Sequence, residues 1–366
     1  MLYLFAILKV CFHATVLLTL AAPFFLVWSF WRISSGLLAL PQHLYQIGDD
    51  ILFHFYLRVI LVAVEDLVGL KVYFYGDISR VVKKRERAVY LVNYQSTFDW
   101  IGVNLLAERA GSLGNLRYII KQSLQSVPLY GFYFYQHGCI YVNNEQINKS
   151  KMKRALAYLA DKNVESSVVL FPEGIRFDPN NNFAIKMSVE YAMSKELRPM
   201  KQVLMPRTRG AVTVLQTLKK NMDAVYTVTL IYDGTRTSSG HRLPSPSLFD
   251  VFAGKCKDIH IHVKRTSMNN VPDDATDIKQ FVLNEFYEQD ALLDSYYSME
   301  PDEYPAELSV GAHIPYNSAY NTISVIISGI CLSSLLFTNY GFNLLWKTWV
   351  FGSVFGYSWL GMISMA

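Results

Sequence analysis

Charge is scarce in this chain. Only 17% of its 366 residues are Asp, Glu, Lys or Arg and 51% are hydrophobic, an excess over what a soluble enzyme needs. The net charge of +4 permits anionic lipid or nucleotide partners without requiring them. No basic block or RNA-binding motif is present, so nothing speaks for nucleic acid. Cysteine is equally sparse. Cys11 and Cys331 lie in apolar segments, and Cys139 and Cys256 are far apart in unlike contexts. That excludes a disulfide framework and a zinc-ligand spacing, and it suits a chain facing the cytosol. Internal repeats and low-complexity tracts are absent too.

What the chain has instead is long apolar runs. Residues 10–31 contain no Asp, Glu, Lys or Arg and are long enough to span a bilayer. Trp28 and Trp31 sit at the end followed by Arg32, as an interfacial belt would. The run is long for a cleaved signal peptide and lacks a clear small-x-small site, which favours a membrane helix. Residues 51–70 carry Arg58, Glu65 and Asp66 and read as a helix at the interface or against the domain. Residues 322–338 and 348–366 are apolar again and read as a helical hairpin, each arm near the lower length limit for spanning.

Between these ends the pattern alternates strands with helices. Residues 88–92, 167–171, 202–206, 225–232 and 258–263 are the strand candidates. Helical spacing covers Lys149–Asp161, Ala184–Leu197, 211–222 and 275–296, and Thr237–Ser247 is a loop rich in Ser, Gly and Pro. Such alternation predicts an α/β layered domain with a mixed sheet flanked by helices. The expected division is 1–70 for the N-terminal membrane and interfacial helices, 71–300 for the α/β domain, and 301–366 for a linker and C-terminal hairpin.

The chemistry concentrates around residues 88–100. An apolar strand breaks into the polar turn 93–97, and Asp99 opens a helix. Unpaired backbone N–H groups face outward at such junctions. Tyr94 and Asp99 lie about 140° apart on an ideal helix, so they meet only if Tyr94 is still in the loop. Three further stretches look like parts of a site: Gly138–Asn144, Phe171–Arg176 and Leu204–Gly210. In the second of these Pro172 and Gly174 force a turn from which Glu173 and Arg176 project. A guanidinium fixed there suits bidentate phosphate binding, and the alternative is that Glu173 and Arg176 pair with each other or cap a helix. Arg207 and Arg209 add positive charge or are solvated surface. His260 and His262 share a strand face, but with no third ligand nearby a structural role is favoured over a metal site. His137 has no carboxylate at a spacing that would orient it, which favours a satisfied loop histidine.

In order, these blocks resemble those of the glycerophospholipid acyltransferases, nearest to the epsilon-type lysophosphatidic acid acyltransferases and the lysocardiolipin acyltransferases. The resemblance runs along nearly the whole chain: WRI near 31, YGD at 75–77, KQSLQSVPLYGFYFYQHG at 121–138, FPEG at 171–174, MPRTRG at 205–210 and the C-terminal apolar pair. It implies acyl transfer from acyl-CoA to 1-acylglycerol-3-phosphate or a related lysophospholipid. The setting would be a multi-pass protein of the endoplasmic reticulum or mitochondrial membrane, needing no cofactor beyond acyl-CoA as co-substrate. The family's first block is Asn-His-x-x-x-x-Asp, with the histidine as general base on the glycerol hydroxyl and the aspartate orienting it. Asp99 matches the aspartate, and Tyr94 stands where the histidine belongs. Asn144 stands where the second block ends in arginine, and Ile175 replaces the threonine of the third. Glu173, Gly174, Arg176 and Pro206 match and would bind substrate, with Asn144 beside them. A phenol with a pKa of about 10 is a poor base at pH 7, whereas imidazole at about 6.5 is well placed. The resemblance therefore implies a weakened enzyme, with a protein that only binds lipid or acyl-CoA as its alternative.

Overall fold

A computed structural model describes residues 2–142, 149–237, 241–300, 303–315 and 318–365. Strands β1 (Lys71–Gly76), β2 (Ala88–Val92), β3 (Leu116–Lys121), β4 (Ile140–Val142), β5 (Ser167–Leu170), β6 (Ala224–Tyr232) and β7 (Asp258–Ser267) form one sheet in the order β1-β7-β6-β2-β5-β3-β4. Every neighbouring pair is parallel except β6 with β7, so the sheet is mixed.

The central strand β2 is buried along its whole length, which is why it reads as an unbroken apolar run. Its side chains still alternate. Tyr90 and Val92 pack with the N-terminal helices and the helix Asp99–Arg109. Val89 and Leu91 pack on the other face, against the helices Lys149–Leu159, Thr208–Leu218 and Ala275–Ser298. Helices thus cover both sides, and the C-terminal ends of β2, β3, β5 and β6 share one edge.

Residues 202–206 do not form the expected strand. Their N–H groups are taken by side chains instead of by a neighbouring strand. Asp290 Oδ1 accepts from Gln202 at 2.6 Å, Glu173 Oε2 from Leu204 at 2.8 Å and Ser188 Oγ from Met205 at 2.8 Å. Pro206 has no N–H to give. β1 and β3 are among the strands that the apolar-run candidates missed. Arg117 interrupts β3 with a charge that proves fully buried.

The N-terminal helix Leu2–Leu37 contains a stretch, Ile7–Leu37, that is long and apolar enough to cross a membrane, with a window of mean hydropathy 2.1. Its end is not a lipid-facing belt. Trp28 is 1% exposed, wedged among Phe25, Phe132 and Tyr133, and its indole N–H donates to the Tyr45 hydroxyl at 3.3 Å. Trp31 donates to the Tyr45 carbonyl at 3.0 Å. The helix Gln42–Val62 lies against the domain, where Arg58 pairs with Glu108 at 2.8 Å. At the other end, Thr322–Phe337 and Asn339–Ile363 meet at a bend of 97°, well short of the reversal of an antiparallel hairpin.

Candidate active site

The C-terminal edge of the sheet is closed by polar side chains. Beyond β2, Asn93 continues the ladder with its amide: Nδ2 donates to the Leu230 carbonyl at 3.1 Å and Oδ1 accepts from Leu230 N–H at 2.8 Å. The chain can then leave the sheet with its backbone polar groups satisfied. Gln95 and Ser96 follow, and both of their N–H groups point at Asp99 Oδ2, at 2.6 and 2.7 Å. The aspartate folds back over the start of its own helix and fixes the turn that holds Tyr94. Its other oxygen accepts from the Tyr232 hydroxyl, at the end of β6, at 2.6 Å.

Asp99 is completely buried. Burial pushes its carboxyl up to about 7 against the pull of the Tyr232 hydroxyl and the two N–H donors. Glu173 behaves alike. It is 2% exposed, and burial raises it to about 8 although Leu204 and Tyr94 N–H both donate to it, the latter at 2.6 Å. One carboxyl group therefore ties the 93–97 turn to the 204–207 segment. It does not pair with Arg176; among the described residues no ion pair joins them, and Arg176 stands exposed. The alternative in which these two residues merely neutralise each other is thereby removed.

Tyr94 is half-buried, with its ring 5.0 Å from that of Phe171 and its carbonyl accepting from Phe177 N–H at 2.7 Å. Burial raises its phenol above 10, Asp99 adds to this, and Arg176 opposes it. Gly174 takes φ +75°, where a side chain is strained, and a Cβ there would touch Arg207 at 3.3 Å. The following residue, Ile175, packs with Phe177, Ala184 and Leu204. Pro206 is buried just before Arg207, whose N–H donates to the Pro172 carbonyl at 2.7 Å. That contact brings the 171–176 and 204–210 stretches together.

Two contributors lay outside the sequence-level selection. Lys121, at the end of β3, has its ammonium pushed down by burial and then by Arg176 and Arg207, which places three cations in one field. Its place at the head of the 121–138 block was the available signal. Tyr232, at the end of β6, gave none beyond an apolar run. Asn144 lies outside the described residues; Gly138 and β4 before it are in place, with Gly138 at φ +91°.

His137 is a satisfied histidine, as expected. A carboxylate does orient it, but from 88 residues away: Nδ1–H donates to Asp49 Oδ2, and Nε2 accepts from Arg117 at 2.7 Å. Asp50 pairs with the same guanidinium. His260 is held on β7, its Nδ1 against the Tyr75 hydroxyl at 2.8 Å.

A family model described as acyltransferase matches residues 75–233, and one described as acyltransferase C-terminus matches 250–326. Mouse 1-acyl-sn-glycerol-3-phosphate acyltransferase epsilon is 34% identical over 348 residues, spanning 94% of each chain. A probable 1-acyl-sn-glycerol-3-phosphate acyltransferase 5 of Arabidopsis thaliana is 29% identical, spanning 75% of this chain and 67% of its own. The crystal structure of the 1-acyl-sn-glycerophosphate acyltransferase PlsC of Thermotoga maritima aligns over 77% of this chain and 97% of its own, with TM-score 0.41 and 15% identity, too loosely to bear on the site. With near-complete mutual coverage by the mouse relative, and with the family's blocks gathered at one edge of its sheet, this chain belongs to the acyltransferase family.

Proposed function

We propose that the chain is a membrane-bound lysophospholipid acyltransferase of phospholipid biosynthesis, moving an acyl group from acyl-CoA to 1-acylglycerol-3-phosphate or a close relative. The observation that carries this is the gathering of the blocks at one sheet edge: Glu173 ties the turn holding Tyr94 and Asp99 to the 204–207 segment, Arg207 N–H closes on the Pro172 carbonyl, and Lys121 and exposed Arg176 lie beside them. Three cations gathered at the C-terminal edge of the sheet suit a phosphate monoester, which takes charge-assisted and bidentate contacts. The substrate hydroxyl would then lie near Tyr94. It attacks the thioester carbonyl, the new ester forms, the C–S bond breaks, and coenzyme A leaves as the thiol after taking a proton. Tyr94 stays a neutral phenol at pH 7 and serves to position the hydroxyl. Asp99, raised to about 7, and the substrate phosphate are the groups of suitable basicity for the hydroxyl proton. No cofactor is needed beyond the acyl-CoA co-substrate. The Ile7–Leu37 helix supports a membrane setting; the endoplasmic reticulum or mitochondrion as its place, and a multi-pass topology, are part of the proposal and rest on the family resemblance.

The alternative, binding without turnover, rests on Tyr94, Asn144 and Ile175 standing in place of the family's residues; the relatives carry enzyme names. Purified full-length protein given lysophosphatidic acid and labelled acyl-CoA should form phosphatidic acid. Tyr94→His should raise the rate by about 10²-fold or more and add a limb to the pH–rate profile near the imidazole pKa of about 6.5. Lysophosphatidic acid bound by both forms and acylated by neither would favour the binding-only reading.

A further inference from the structure

The helix Asn182–Ser194 begins six residues after Arg176 and is built inside out. The face it turns to the protein carries small residues. Ala184 and Ala192 are buried, and Ser188 Oγ accepts from Met205 N–H at 2.8 Å. The face it turns away carries Phe183, Met187, Tyr191 and Met193, with exposures of 77%, 51%, 41% and 66%. Spacings of four residues from Phe183 through Met187 to Tyr191 hold these on one side of the helix. The helix is held firmly: Asn181 caps it by accepting from Ala184 N–H at 3.1 Å. An exposed stripe of this kind on a fixed helix needs a partner.

Charge says which partner. Residues 176–209 hold seven Lys and Arg against three Asp and Glu, a surplus equal to that of the entire chain. Lys186 stands on the exposed face itself, 3.8 Å from Glu190. An apolar stripe set in positive charge is the pattern of a helix lying in the headgroup layer of an anionic bilayer. The neighbouring surface continues the same way. Lys121 leads directly into residues 122–127, which expose Leu124 and Val127, and the Ser126 carbonyl accepts from Tyr357 of the C-terminal apolar helix at 2.9 Å.

We infer that the outer face of Asn182–Ser194 docks on anionic phospholipid, holding the mouth of the site beside Arg176 against the bilayer. The inference goes beyond the proposed reaction and is read without turnover. In the full chain carrying Cys11→Ala and Cys331→Ala, with Cys139 and Cys256 buried, an environment-sensitive label at Met187→Cys reports on the face. A label at exposed Asp277→Cys, in the first turn of the helix Ala275–Ser298, is the control. In phosphatidylserine-containing nanodiscs the label at 187 should emit to the blue and lose more than half its emission to a shallow nitroxide on the lipid, while that at 277 is unchanged. Phe183→Glu with Met193→Glu should abolish the quenching at 187 in protein that keeps its unfolding transition. Equal, unquenched emission at both positions would overturn the inference. So would a blue shift without lipid quenching, which means a protein partner, and so would equal quenching in pure phosphatidylcholine, which removes the anionic requirement.

Discussion

Among the buried acidic centres of the described residues, the one with a histidine, at Asp49, is not the one with the marks of a site, at Asp99. Asp49 and His137 make the hydrogen-bonded pair that a general base would use, yet both are fully buried. The Arg117 guanidinium fills the remaining side of the imidazole and neutralises Asp50. Burial and Arg117 together lower the imidazole pKa, so His137 is neutral and spent on structure, joining the helix Gln42–Val62 to the domain. At the sheet edge Asp99 has a tyrosine where the imidazole would be, but a half-open one, with exposed Arg176 and Arg207 and with Lys121 beside it. Access and exposed positive charge distinguish a reaction site from a structural knot; an Asp–His contact alone does not.

The largest effect should follow from breaking the knot. Arg117→Met strips the partner from Asp50 and His137 inside the protein, and a buried pair broken on one side typically costs about 3–5 kcal/mol. Thermal unfolding in detergent should drop steeply, whether or not substrate is present. Arg176→Ala should do the reverse, leaving unfolding unchanged and weakening lysophosphatidic acid binding by about 1.5–3 kcal/mol, roughly tenfold to a hundredfold in Kd. Calorimetry showing unchanged affinity would return Arg176 to the solvated surface.

The smallest effect is a pH slope. Asp99 and Glu173 have folded pKa values raised to about 7 and about 8. Their neutral forms suit the fold, so the stability they contribute is complete below their unfolded pKa values of about 4 and is lost as pH rises through 7 and 8. Unfolding free energy should therefore decline between pH 5 and 8, by no more than about 1.4 kcal/mol per pH unit for each group. Glu173→Gln should flatten that slope. A wild-type profile rising over the same window would contradict the raised values.

Much of this was legible before the structure. The β2 run and its polar break, the turn at Pro172–Gly174 and the helical spacings survive as read. What failed did so for definable reasons. Residues 202–206 have a strand's composition, but their N–H groups were claimed by Glu173, Ser188 and Asp290 from elsewhere in the chain. β3 was hidden by Arg117, whose burial depends on Asp50, 67 residues earlier. Trp28 looked interfacial because composition cannot tell a lipid neighbour from Phe132. Tyr232 and Lys121 join the site through the order of strands in the sheet, which local pattern does not carry.

The direct test sets the two centres against each other in one preparation. Turnover of acyl-CoA with lysophosphatidic acid is measured for wild type, Asp99→Asn and His137→Gln, each checked for a cooperative unfolding transition. Asp99→Asn should lose at least about 10²-fold in rate, the usual scale for a removed acid–base group. His137→Gln should lower the unfolding temperature and leave the rate of the folded protein near that of wild type. A folded His137→Gln without turnover, beside an active Asp99→Asn, would place the chemistry at the buried histidine and contradict the account.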